Sequence, residues 1–101
     1  MDPERISDFN ISDVVKATAG RDQGKLFYVI AEDEHFLFLA NGKDRPLDRP
    51  KQKKRKHVQK VLRSETRVAD KLRSGDKVLN SELRRDLAFL AGQMQVNNLG
   101  G

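Results

Sequence analysis

The sequence predicts an α+β fold, a small β-unit followed by a two-helix extension. Three observations carry that prediction. Between residues 14 and 40 apolar, β-branched and aromatic residues come in short bursts divided by glycines and acids, the pattern of strands and turns. Leu83, Leu87, Leu90 and Met94 recur at i, i+4, i+7 and i+11, which marks one face of a helix. A length of 101 residues allows one domain plus a tail.

The elements follow in order. Residues 1–10 are polar and acidic and are expected to form a flexible arm. From Ile11 the chain turns apolar through Val14, Val15 and Ala17, a first strand ending at Ala19 and Gly20. The segment 20–24 (Gly-Arg-Asp-Gln-Gly) is a turn in which the glycines can take positive φ and Asp22 can cap backbone N–H groups. Residues 25–31 form a second strand and 35–40 a third, across the acidic turn Glu32-Asp33-Glu34. Asn41-Gly42 then signals another tight turn.

Strand two carries Leu26, Tyr28 and Ile30 on one side and Phe27, Val29 and Ala31 on the other, and Phe36 to Leu39 repeat the pattern. A half-exposed sheet would alternate apolar with polar. The C-terminal half is therefore expected to cover the outer face. Pro46 and Pro50 keep the next stretch extended. Val58, Val61 and Leu62 suit either a last strand or a helical turn. A helix is expected over 64–73, with Gly75 at its C-terminal cap, and a second from Ser81 as N-cap to about Met94. The organisation so read is a β-unit over 11–62, a helical extension over 63–95 packed on it, and a frayed tail over 96–101.

Composition narrows the function. The chain has no cysteine, which removes disulfides and thiolate–metal sites and suits a reducing, cytoplasmic setting. No basic-then-apolar leader opens the sequence, and no apolar stretch is long enough for a bilayer. The net charge is +5, but residues 43–60 hold nine cations against Asp44 and Asp48, so this segment carries +7 and the remainder −2. Such concentration points to a polyanion, and the absence of an amphipathic anchor helix beside it favours nucleic acid over a membrane. His35 and His57 stand far apart, so no metal site and no cofactor are expected. No nucleophile, base and orienter assemble at recognisable spacing, so the chain is not expected to be an enzyme. Phe27, Phe36 and Phe38 are read as core, whereas the Tyr28 hydroxyl requires solvent or a partner.

The sequence of an apolar strand, Ala19-Gly20-Arg21-Asp22-Gln23-Gly24-Lys25 and an aromatic–aliphatic strand closely resembles the KOW motif, in which a glycine in the turn between the first two strands is central; Gly24 matches it. With Asn41-Gly42-Lys43, the proline-spaced linker and the Lys-Lys-Arg-Lys-His run, residues 12–59 resemble the small KOW-domain RNA-binding proteins of Gram-positive bacteria, and through them a KOW-type large-subunit ribosomal protein of archaea and eukaryotes. The resemblance implies an SH3-like β-barrel that contacts RNA, ribosomal RNA foremost. Such barrels also contact proteins, so a module touching ribosomal proteins or the transcription machinery is the alternative. KOW units do not contain helices like those after residue 63. The residues expected to hold RNA are Arg21, Gln23 and Lys25 of the loop, then Lys43, Arg45, Arg49, Lys51, Lys53, Lys54, Arg55, Lys56, His57 and Lys60, acting in a monomer.

Overall fold

The computed structural model describes residues 9–100, with side chains described through residue 94. Five strands form one antiparallel sheet: β1 (Asp13–Ala17), β2 (Leu26–Glu32), β3 (Phe36–Ala40), β4 (Lys51–Lys54) and β5 (Val58–Arg63), in the order β4-β3-β2-β1-β5. Two helices follow, α1 (Arg67–Ser74) and α2 (Asn80–Gly100). Strands β4 and β5 occupy opposite edges of the sheet, yet only the three-residue 3-10 turn Arg55–His57 separates them. So short a connection requires the two edges to approach each other, and the sheet curls into a barrel-like form.

Curling gives the sheet an inside and an outside, and both are apolar. Phe9, Val15, Phe27, Val29, Leu37 and Leu39 fill the interior. Val14, Tyr28 and Ala40 point outwards and meet Val68, Ala69, Leu83, Leu87 and Leu90 of the helices. The two-faced strand pattern thus has its physical reason: the helices cover the outer face as the β2 pattern requires.

Several expectations are corrected. The strand β4, a run of Lys-Gln-Lys-Lys, has no strand pattern in the sequence; it is fixed by main-chain pairing, with Leu37 opposite Lys53 and Leu39 opposite Lys51. A register shift between Val29 and Ala31 brings Ala31 opposite Phe38, so Ala31 leaves the face it was assigned. Phe36 and Phe38 are half-buried rather than core, because the buried outer cluster contains Ala40 of β3 and does not extend to them. Phe9, assigned to the flexible arm, packs in the interior at 8% exposure; residues 1–8 of that arm lie outside the described residues.

The helix ends also differ. Helix α1 starts at Arg67 rather than Ser64, since Thr66 caps it by accepting from the Ala69 N–H at 3.2 Å. Gly75 closes it at φ 80°. Helix α2 starts at Asn80, ahead of the expected Ser81 cap. Glu82 reaches back to accept the Leu79 N–H at 2.9 Å, which is one half of a capping box. The helix continues to Gly100, past the expected end near Met94. Gly101 of the expected tail lies outside the described residues. No helix among them is long and apolar enough to cross a membrane.

Candidate nucleic-acid interface

The loop between β1 and β2 is built by two glycines and one buried acid. Gly24 donates to the Ala17 carbonyl at 2.8 Å and Gln23 to the Gly20 carbonyl at 3.2 Å, with φ at 83° for Gly20 and 88° for Gly24. These conformations favour glycine. Arg21 and Gln23 are exposed at the tip.

Asp22 does not act as the expected backbone cap. It is 1% exposed, and its Oδ2 accepts from Arg45 Nη2 at 2.8 Å and Nε at 3.2 Å. Lys25 lies 3.6 Å from the other carboxylate oxygen and donates to Asp44 at 2.6 Å. That hydrogen bond, then one from Asn41, pulls the Asp44 carboxyl down to about 2, and the same Asp44 contact raises the Lys25 pKa. Asn41 completes the β3–β4 turn by accepting from the N–H groups of Lys43 and Arg45. Two ion pairs therefore clamp the loop to the segment between β3 and β4.

The basic strand and the 3-10 turn reach the same loop. Lys53 Nζ lies 3.1 Å from the point that a β-carbon on Gly20 would occupy. Thr18 donates its N–H to the His57 carbonyl at 2.9 Å. Loop, linker and basic run, separated by up to 37 residues in sequence, thus form one edge of the molecule.

The predicted cations divide by their partners. Lys25, Arg45, Arg55 and Lys60 are held by carboxylates: Arg55 by Glu32 at 2.8 Å and Lys60 by the buried Asp13 at 3.2 Å. Arg21, Lys43, Arg49, Lys51, Lys53, Lys54 and Lys56 have no carboxylate partner among the described residues. His57 is half-buried beside them. Sequence reasoning missed the anchoring acids Asp13 and Asp22, since burial of a carboxylate leaves no trace in local pattern. Among the described residues, no group of three or more His, Asp or Glu side chains could hold a metal ion.

The fold and this edge together define a small α+β domain with a glycine-hinged loop beside a basic strand. Comparison with protein-family models and with curated proteins gives no match for this chain.

Proposed function

We propose that this chain is an RNA-binding domain of SH3-like, KOW type that docks on structured RNA through the 20–25 loop and the cationic edge beside it. The observation that carries this reading is that Lys53 of the basic strand reaches Gly20 of the loop whose Gly24 matches the KOW glycine, on an edge whose Arg21, Lys53, Lys54 and Lys56 have no carboxylate partner among the described residues. The closure of β4 onto β5 by a three-residue turn supports the SH3-like assignment. Lys54 and Lys56, both exposed, and Arg21 at the loop tip are suited to phosphates. Lys25 and Arg45 shape the loop and contact RNA only at its margin, their charge being already balanced. By family resemblance the RNA is ribosomal, and the setting is the cytoplasmic ribosome.

The test is a salt titration of binding to a structured ribosomal RNA fragment. Replacing Lys54 and Lys56 with glutamine should weaken binding and make the slope of log K against log[salt] shallower by about one per phosphate contact removed. An unchanged slope would sink the electrostatic mechanism. A second reading is favoured by Phe89, 55% exposed on the outer side of α2. There the helical side touches a ribosomal protein, and co-sedimentation with ribosomes would survive nuclease and high salt.

A further inference from the structure

We infer that the hollow lined by Phe36 and His35 is a stacking site for one unpaired RNA nucleotide, next to the cationic edge; this rests on the RNA-binding reading above. The hollow has a volume of about 570 Å³ and is lined by Glu34, His35, Phe36, Lys54, Arg55 and Lys56. That size lies within the roughly 300–1,000 Å³ of small-molecule sites.

Its construction suits a nucleotide. Phe36 stands on β3 directly opposite Lys54 of β4, so an aromatic face and an ammonium share one side of the sheet. Phe38 continues the strip opposite Gln52. Both phenylalanines are half-buried, fixed by the sheet but reachable. Unpaired bases stack on Phe and His rings, with nearby cations meeting the phosphates. Lys54 and Lys56 have no carboxylate partner among the described residues, whereas Arg55 is tied to Glu32 and to the Asp33 carbonyl at 2.6 Å.

The acids of the β2–β3 turn do not cancel this charge. Glu32 is engaged by Arg55, and Asp33 accepts the N–H groups of His35 and Phe36 at 2.9 and 2.8 Å. Those backbone bonds hold the Asp33 carboxyl below its ordinary value, so its charge is committed to shaping the turn. Glu34, with its Oε1 3.9 Å from His35 Nε2, lines the rim, where a carboxylate can accept an N–H from a base edge. Lys54 and Lys56 would meet the phosphate, Phe36 the face of the base and Glu34 its edge.

The test compares two RNAs, a fully paired hairpin and the same hairpin with a short unpaired 3′ tail, by fluorescence anisotropy. The tail should tighten wild-type binding, and Phe36→Leu should remove that gain, roughly five- to hundred-fold, while leaving the paired hairpin's affinity unchanged. Phe36→Tyr should restore it. The chain contains no tryptophan, so Phe36→Trp supplies a single reporter whose emission should be quenched by the tailed RNA and not by the paired one. A tail that adds nothing, or a Phe36→Leu protein that keeps the gain, overturns the stacking site while the electrostatic reading stands. Failure of the wild type to bind either RNA overturns both. Quenching by both RNAs alike also overturns the assignment, since it places the ring against paired nucleic acid.

Discussion

Arg45→Gln separates shaping the loop from touching RNA. The Asp22 side chain is 2% exposed and takes two hydrogen bonds from the Arg45 guanidinium, at 2.8 and 3.2 Å. Removing one partner of a buried ion pair costs about 3–5 kcal/mol, because the remaining charge stays desolvated. Lys25, at 3.6 Å from the same carboxylate, offsets part of that loss, as does the glutamine amide. A cost of about 2–3 kcal/mol is expected, a large share of the ~5–15 kcal/mol that holds a domain of this kind folded. For a chain of this length it corresponds to a fall in melting temperature of roughly 10–20 °C. Urea unfolding followed by circular dichroism reads the loss. Asp22→Asn combined with Arg45→Gln should cost less than Arg45→Gln alone, since no buried charge is then abandoned. RNA affinity should fall below the new unfolding temperature only modestly, with the salt slope unchanged, because Asp22 already neutralises Arg45. A variant of wild-type stability whose salt slope drops by about one would refute this reasoning and make Arg45 a phosphate ligand.

Further outcomes follow from the same structure. Tyr28 is fully buried, and its hydroxyl lies 2.8 Å from Ser64 Oγ and donates to the Asp86 carboxylate; Tyr28→Phe should cost about 1–3 kcal/mol by leaving Asp86 under-satisfied. Burial, then Asp86, pushes the Tyr28 pKa up to about 12. Its contribution is therefore full below pH 10 and lost as pH rises towards 12, a change of about 2–3 kcal/mol. Tyrosinate absorbance, read on the chain's one tyrosine, should appear near pH 12 in the folded protein and near pH 10 once urea has unfolded it. Gly42→Ala should be the costlier of two glycine changes: a β-carbon there would lie 2.2 Å from the Asn80 carbonyl, at the start of α2. Gly24→Ala meets no atom within 4 Å, so only its φ of 88° opposes it, at about 1–2 kcal/mol. Thermal melts of the two variants should rank in that order.

Much of the fold was legible because its elements rest on local rules. Gly20, Gly24 and Asn41-Gly42 mark turns through backbone freedom, and the Leu83–Leu87–Leu90 stripe marks a buried helix face. The two-faced apolar strand β2 even foretold the helical cover. What stayed hidden depends on contacts distant in sequence. Strand β4 carries no apolar alternation, since its pairing with β3 comes from the main chain. Glu82, rather than the more typical Ser81, serves the start of α2. Phe36 and Phe38 read as core because sequence shows hydrophobicity, not how far α1 and α2 extend over the sheet. Within the candidate site, composition named the cations, but only the positions of Asp13, Asp22, Glu32 and Asp44 divide those already neutralised from those available.

Ultraviolet crosslinking of the protein to RNA in its native cell, with both the attached peptides and the RNA fragments sequenced, bears most directly on the central claim. The predicted result is crosslinks within residues 20–25 and 51–57, with RNA reads confined to one region of ribosomal RNA. Crosslinks confined to α2, or no RNA recovered above background, would contradict it.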